Sequence, residues 1–167
     1  MIGFETDRLR FRIFEADDLD ALARINAEEE TSRYVGDGTT LSRELTRTWI
    51  ENSRRNVAEY GYGTGAVVLI ETAELVGWAG LARPGDGTEE IIYGLARDHW
   101  GQGLGTELLR GLIRWCWDDL GLNELRATVH PENLASITML LGQGFLLREE
   151  RYDGDPDTQL YVADLRR

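Results

Sequence analysis

Residues 90–106 read Glu-Ile-Ile-Tyr-Gly-Leu-Ala-Arg-Asp-His-Trp-Gly-Gln-Gly-Leu-Gly-Thr, and this stretch decides the fold. An apolar run ends at Leu95, a short polar link follows, and glycines alternate at 101, 103 and 105 before an amphipathic helix begins. Glycines directly before a helix let several backbone N–H groups approach one anion, and the helix dipole adds partial positive charge there. The pattern predicts a strand, a pyrophosphate-binding turn and a helix in succession.

Hydrophobic periodicity places the other elements on either side of this stretch. Strands are predicted at 8–14, 65–71, 75–82, 89–95, 125–130, 145–152 and 159–165. Helices are predicted at 15–30, 42–60, 102–120 and 133–141, with a loop at 31–40. The apolar side of the second helix is predicted to carry Leu45, Trp49 and Ile50, and the inward side of the third Leu104, Leu108, Leu112, Trp115 and Cys116. Short turns between the middle strands favour an antiparallel meander, and the helix between 89–95 and 125–130 implies a parallel pair. We therefore predict an α+β fold: a mixed, mostly antiparallel seven-stranded sheet with about four helices, in one domain, 1–167.

The charge and composition of the chain indicate which kinds of molecule it is expected to bind. The chain has 167 residues, a formal net charge of −12 and a sequence pI of about 4.6. Such acidity argues against nucleic acid as a partner, and it either favours cationic molecules such as amines or simply maintains solubility. Nothing resembles a signal peptide, and no apolar run approaches the ~20 residues that span a bilayer. A cytoplasmic protein without a membrane partner is the expectation.

The chain has few or none of the residues that several kinds of site require, and this argues against those sites. All 18 basic residues are arginine, which excludes a Schiff-base lysine and a P-loop. Cys116 is the single cysteine, and its position between two tryptophans of a helical pattern predicts a buried core residue. The two histidines and one cysteine show no metal-ligand spacing, so no metal site is expected. The spacing G-x-G-x-G, after three earlier strands, also does not fit a Rossmann fingerprint.

Three motifs together resemble one family. Residues 93–107, Tyr-Gly-Leu-Ala-Arg-Asp-His-Trp-Gly-Gln-Gly-Leu-Gly-Thr-Glu, look like the acetyl-CoA motif of the GNAT N-acetyltransferases in their RimJ/RimL-like branch. The run 6–10 resembles that branch's opening strand, and 130–136 with Gly144-Phe145 resembles its second cofactor motif. The resemblance covers essentially the whole chain. Trp100 stands where the superfamily usually carries arginine or glutamine, although an aromatic residue is common in this branch.

The resemblance implies a GNAT-like sheet in which the strands 89–95 and 125–130 splay apart, and it implies acetyl-CoA as co-substrate. Backbone amides of the glycine segment are expected to bind the CoA pyrophosphate, and backbone groups of the preceding strand to pair with the pantetheine arm. The implied cofactor-binding residues are Tyr93, Gly94, Leu95, Gly101, Gln102, Gly103, Leu104, Gly105, Thr106, Asn133 and Ser136. Helix capping is the alternative role for Asn133 and Ser136.

The resemblance implies two catalytic residues. Ser136 is the expected proton donor to the leaving thiolate, and Glu90 is the expected general base. A solvated glutamate at the start of a strand is the alternative for Glu90. Glu89 would point to the opposite face of the strand, so one of the two glutamates is expected to have no catalytic role.

The expected activity is direct transfer of an acetyl group to a primary amine in a ternary complex. The acceptor, a small molecule or a protein N-terminus, is expected over residues 25–60 and the turn 153–157, where acidic side chains suit a cation. Tyr34 and Trp49 either line that cleft or simply pack. A homodimer is the oligomeric state that the resemblance suggests, and a non-catalytic acyl-CoA sensor or scaffold is the alternative function.

Overall fold

Eight strands form two sheets in the computed structural model, which describes residues 2–164. The strands are β1 Phe4–Glu5, β2 Leu9–Arg12, β3 Thr64–Leu69, β4 Leu75–Ala82, β5 Glu90–Leu95, β6 Glu124–Val129, β7 Leu146–Glu149 and β8 Gln159–Asp164. The five-stranded sheet has the order β1-β2-β3-β4-β5, and the three-stranded sheet the order β6-β8-β7. Every described pairing within them is antiparallel, so the predicted meander is confirmed. The end of the last predicted strand, Leu165, lies outside the described residues.

Within the described part of the chain, five α-helices accompany the sheets: α1 Leu19–Asn26, α2 Glu29–Ser32, α3 Arg43–Tyr60, α4 Leu104–Asp118 and α5 Leu134–Gly142. The α3 helix follows its sequence signals closely. Ser42 caps its start by accepting a hydrogen bond from the Leu45 N–H at 3.1 Å, and Gly61 ends it in the left-handed conformation at φ 83°. Within residues 2–164, no helix combines the length and hydropathy that a bilayer crossing requires.

Two local predictions were wrong. The helix expected over 15–30 is divided into a 3₁₀ turn, α1 and α2, and α2 extends into the expected loop. The division has a tertiary cause, because the Asn26 carbonyl accepts from Leu41 N–H at 3.1 Å and from the Ser32 hydroxyl at 3.2 Å. Leu45, expected on the apolar side of α3, is 54% exposed, since the buried stripe runs one position further on through Thr46 and Ile50.

Two hydrophobic clusters cover the two faces of the five-stranded sheet. The larger cluster includes the inward side of α4, where the five residues predicted to face inward are buried: Leu104, Leu108, Leu112, Trp115 and Cys116. The smaller cluster joins α1 and α3 to the opposite face. Burial raises the pKa of the Cys116 thiol to about 12, so this cysteine is a neutral core side chain at physiological pH, as predicted.

The two sheets part between β5 and β6. Among the described residues no backbone ladder joins these strands, although they lie close enough for the Thr128 hydroxyl to donate to Glu90 Oε1 at 3.1 Å. The splayed pair expected at 89–95 and 125–130 corresponds to this gap. The eighth strand, β1, is an addition to the seven predicted; it is only two residues long and Phe4 pairs with Phe11.

Candidate active site

The glycine segment 101–105 forms the turn into α4. Gly101 has φ 74° and Gly103, the residue that precedes the helix, has φ 78°. Only glycine adopts such left-handed conformations without strain, which explains why the turn carries glycine at these two positions. Gly105 has a different role, because a Cβ there would lie 3.1 Å from the Met139 sulfur of α5. Two of the glycines thus shape the turn, and the third lets α5 approach α4.

The start of α4 presents unsatisfied N–H groups. Gly103 has no side chain that could cap the helix, and the Glu107 N–H donates to the Gly103 carbonyl at 3.1 Å as the first bond of the helix. The amides of 104–106 therefore have no acceptor within the helix. Together with the helix dipole they form an environment that favours an anion such as a pyrophosphate.

Arg8 is a contact at this turn that sequence reasoning did not identify as functional. Its Nη1 donates to the Gln102 carbonyl at 3.0 Å, and its Nε donates to Glu107 Oε2 at 2.8 Å. The Thr6 hydroxyl also donates to Glu107, at 2.6 Å. Burial raises the pKa of the Glu107 carboxyl, but the hydrogen bonds from Thr6 and Arg8 outweigh it, so that pKa lies below its ordinary value. The carboxylate thus keeps a half-exposed guanidinium beside the glycine turn.

Trp100 also supports the turn. Its indole N–H donates to the Leu95 carbonyl at 2.8 Å while the side chain stays 49% exposed. This bond ties the polar link to the end of β5. The departure from arginine or glutamine at position 100 therefore has a local structural role in this protein.

Backbone groups of β5 face the gap at alternate residues. Ala96 N–H donates to the Val76 carbonyl of β4 at 2.7 Å, so in this antiparallel pair the groups of Gly94 also face β4. A Cβ placed on Gly77 would collide with the Gly94 carbonyl, which agrees with that orientation. The N–H and C=O groups of Tyr93 and Leu95 consequently point to the β6 side. Of the three residues predicted to pair with a ligand, Gly94 is the one that the structure does not turn toward the gap.

The two predicted catalytic residues, Glu90 of β5 and Ser136 of α5, lie on opposite sides of the sheet at β5. Tyr93 packs against the larger cluster, the one that contains α4, and its hydroxyl lies 2.8 Å from Ser136 Oγ of α5. Glu90, an odd number of residues away, shares the other face with Ile92, which packs against the smaller cluster. The Tyr93 and Ser136 hydroxyl groups thus lie on the side of the gap that faces α5, and the Glu90 carboxylate lies on the opposite side.

The Glu90 carboxylate is mostly buried and has defined partners. Its side chain is 13% exposed; Oε1 accepts from Thr128 and Oε2 lies 3.5 Å from Arg83 Nη2. Glu89 instead accepts from the Tyr62 hydroxyl at 2.7 Å and from the Gly87 N–H at 3.2 Å, contacts that stabilise the preceding turn. The two glutamates thus have separate sets of partners on opposite faces of β5.

Asn133 is the N-cap residue of α5. Its Oδ1 accepts from the Ser136 N–H at 3.3 Å, so it caps α5, which was the alternative role considered for it. The Ser136 hydroxyl, by contrast, turns toward β5 and contacts Tyr93. Sequence distance had hidden this contact, because 43 residues separate the two hydroxyl groups.

The side expected to receive the acceptor contains aromatic and charged residues with different roles. Trp49 packs edge-on against Phe14 and Trp78 and donates its N–H to Thr64 at 3.3 Å, so this partly buried side chain packs against the smaller core cluster. Tyr34 lies on His130 with ring centroids 5.1 Å apart, near the end of β6.

Two of the acidic residues expected to attract a cation already have partners. Glu30 pairs with Arg97 at 2.8 Å. Asp155 accepts from the Asp157 N–H and from the Thr158 hydroxyl, and these bonds lower its pKa. An open pocket of about 520 Å³ lies between α2 and the following loop, lined by Glu29, Glu30, Arg33, Gly38, Thr39 and Thr40. The structure offers space on this side but not a cluster of free carboxylates among the residues named.

Comparison with known proteins places these features in one family. The model of the acetyltransferase (GNAT) domain matches residues 8–146, which include the glycine turn, β5 and α5. The uncharacterized N-acetyltransferase p20 of Bacillus licheniformis is 30% identical over 142 residues, covering 84% of this chain and 80% of that protein.

Solved structures share the fold at lower identity. An acetyltransferase from Agrobacterium tumefaciens superimposes with a TM-score of 0.82 at 24% identity, covering 97% of this chain and 94% of that one. RimL, a ribosomal L7/L12 alpha-N-protein acetyltransferase solved in complex with coenzyme A, has a TM-score of 0.80 at 17% identity, covering 96% of each chain. At these identities the likeness concerns the fold.

Proposed function

The chain belongs to the GNAT acetyltransferase family, and from that premise we propose that residues 1–167 form one domain that transfers the acetyl group directly from acetyl-CoA to an amine. The enzyme is an acetyl-CoA-dependent N-acetyltransferase. The observation that carries the proposal for its site is the turn 101–106, where helix amides without an acceptor inside the helix lie next to an arginine held by the Gln102 carbonyl and Glu107.

We assign the donor to this turn and to the gap beside β5. The amides of Gly101 to Thr106 would hold the pyrophosphate, and the Tyr93 and Leu95 backbone groups that face the gap would pair with the pantetheine arm. The Leu95 carbonyl already accepts from Trp100, so its N–H is the group we expect to pair. Asn133 would contribute through α5, which it caps, and Ser136 through its hydroxyl.

Glu90 is our proposed general base. Only a neutral amine attacks the thioester, and the α-amine of a peptide, with a pKa of about 7.7–8.0, is partly neutral at physiological pH. A lysine-type amine with a pKa near 10.4 costs roughly 4 kcal/mol to deprotonate, so it needs a base more strongly. In this proposal the mostly buried Glu90 carboxylate, on the face of β5 opposite Ser136, takes that proton directly or through water.

Direct transfer is supported by the lack of a candidate acyl carrier. The sequence contains no lysine, and the only cysteine is buried with a pKa of about 12. A neutral thiol in the core does not attack a thioester, because the thiolate is the nucleophilic form. The amine therefore attacks the bound thioester in our account, and the protein itself is not acetylated on the way.

The finer assignments remain proposals from resemblance. We place the enzyme in the RimJ/RimL-like branch, of which RimL is one structural neighbour, with a small amine or a protein N-terminus as acceptor. A cytoplasmic location and a homodimer belong to the same proposal. The alternative of a non-catalytic acyl-CoA sensor is not favoured, because relatives along most of the chain carry the name N-acetyltransferase.

An acceptor panel tests the function. We expect free CoA to be released from acetyl-CoA only when certain amines are present, with an equal amount of acetylated product detected by mass spectrometry. The panel should include peptides with free N-termini, polyamines, amino acids and aminoglycosides, each beside its N-acetylated form as the matched control. Binding of acetyl-CoA without product from any amine class would support the sensor instead.

A further inference from the structure

Two hydroxyl groups meet at the side of the gap that faces α5. Tyr93 Oη and Ser136 Oγ lie 2.8 Å apart, although one belongs to a strand and the other to the first turn of a helix. This is a normal hydrogen-bond distance between hydroxyl oxygens. The contact therefore links β5, which borders the gap, to α5, which carries Ser136.

Both partners are held in place by other contacts. The Ser136 N–H is fixed by the Asn133 cap, and the Tyr93 ring packs against the larger core cluster. Burial raises the pKa of the Tyr93 phenol, and the Ser136 hydrogen bond lowers it only in part, so the phenol keeps its proton. The Tyr93 hydroxyl is therefore available as a hydrogen-bond donor across the pH range in which the enzyme would work.

The direction of this bond decides what Ser136 can do. A serine hydroxyl has one proton and two lone pairs, so it can accept one bond and still donate another. A phenol is a stronger acid than an alkyl hydroxyl, and is for that reason the better donor of the two. When Tyr93 donates to Ser136, the serine proton is free to point at a third atom in the gap.

We infer that Tyr93 is a positioning residue that donates a hydrogen bond to Ser136 and so directs the Ser136 hydroxyl proton at the sulfur atom of CoA as the acetyl group leaves it. The inference rests on the proposed function, since it requires the CoA sulfur to lie in the gap beside β5. It goes beyond that function by assigning a role to the Tyr93 side chain, for which only backbone contacts were expected.

The chemistry of this step does not require either hydroxyl to lose its proton. The C–S bond breaks and its electron pair moves to sulfur, while the proton of the attacking amine goes to the base. A thiol, with a pKa of about 8.5, is more acidic than a phenol with a pKa of about 10, so thiolate does not take the proton of Tyr93 or Ser136 at equilibrium. Both stay protonated and stabilise the developing charge as hydrogen-bond donors, and the thiolate is protonated by water later. This changes the expected role of Ser136 from proton donor to hydrogen-bond donor.

The substitution Tyr93→Phe tests the inference, and the same substitution at Tyr161 is its control. We expect kcat to fall about 10-fold with an unchanged KM for acetyl-CoA, because the change weakens one charge-stabilising bond without touching the pyrophosphate turn. Ser136→Ala, which removes the donor itself, should lower kcat roughly 100-fold. Tyr161→Phe is the control, since Tyr161 belongs to the same core cluster against which Tyr93 packs, but its hydroxyl donates to Gln159 of its own strand at 3.0 Å.

A spectroscopic readout separates this role from a structural one and needs no acceptor. Bound CoA should show a larger thiolate absorbance in the ultraviolet than free CoA at one fixed pH near neutrality. Tyr93→Phe and Ser136→Ala should reduce that excess, and Tyr161→Phe should leave it unchanged, with CoA affinity measured by calorimetry in each case. If wild-type protein binds CoA but all four proteins show the same thiolate fraction, the inference is wrong while the proposed function stands. If wild-type protein does not bind CoA, the proposed function fails first.

Discussion

Gly103→Glu should abolish the thermal stabilisation that acetyl-CoA gives to the wild-type protein. At a ligand concentration 100 times Kd, binding stabilises the native state by about 2.7 kcal/mol. For a protein of this size that corresponds to a rise in Tm of roughly 5–10 °C. The substitution would place a carboxylate at the free amides of α4, where the pyrophosphate is expected, and like charges would then compete for one site. The measurement is a thermal melt with and without acetyl-CoA.

The control for this substitution lies in a second positive-φ glycine. Gly121, just beyond the end of α4, has φ 67°, and a Cβ added there would meet no other atom within 4 Å, so Gly121→Glu adds the same charge and similar backbone strain at a distance from the turn. Its intrinsic Tm should fall, but the shift with acetyl-CoA should equal that of the wild type. Equal stabilisation of the Gly103→Glu protein would remove the turn from the donor site.

Glu90→Gln should lower kcat about 100-fold near neutral pH, with the deficit greatest under acidic conditions. As pH falls, less of the amine is neutral, and the rate depends more on a residue that can take its proton. As pH rises, solvent supplies the neutral amine and the variant approaches the wild type. The measurement is the pH profile of kcat for both proteins with the same acceptor.

Glu89→Gln is the matched control for the base. It removes an adjacent carboxylate whose contacts are with Tyr62 and the Gly87 N–H, so we expect a loss of stability with little change in the pH profile. A Glu90→Gln profile parallel to that of the wild type would show that another group, or solvent, accepts the proton. The comparison then also tests whether the two faces of β5 have the separate roles assigned above.

The elements predicted best are those whose signals are local. Ser42 and Gly61 mark the ends of α3 through a side-chain cap and a left-handed residue, and each of these contacts forms between residues a few positions apart. The glycines at 101 and 103 likewise form a local turn directly before α4, as predicted, and the structure gives both of them positive φ. Such features are determined by short-range geometry, so a single sequence is enough to place them.

The missed features depend on contacts between distant residues. The end of α1 at Asn26 follows from hydrogen bonds to Ser32 and Leu41, which no periodicity encodes. Arg8 reaches the glycine turn from 94 residues away in sequence, and Tyr93 reaches Ser136 from 43. An alternation of buried and exposed residues could predict the face on which Tyr93 lies, but not the helix that packs there. The contacts in the candidate site are therefore harder to predict from this sequence than the helices and strands of the fold.

Binding of CoA to the turn at 101–106 and the adjacent edge of β5 is tested most directly by a titration of ¹⁵N-labelled protein with CoA. We predict that the amide signals of Gly101 to Thr106 shift most, together with those of Tyr93 and Leu95, whose backbone groups face the gap. The Gly94 amide, paired with β4, should shift less than its two neighbours. Saturable CoA binding with unshifted signals at 101–106, and the largest changes elsewhere, would contradict the account.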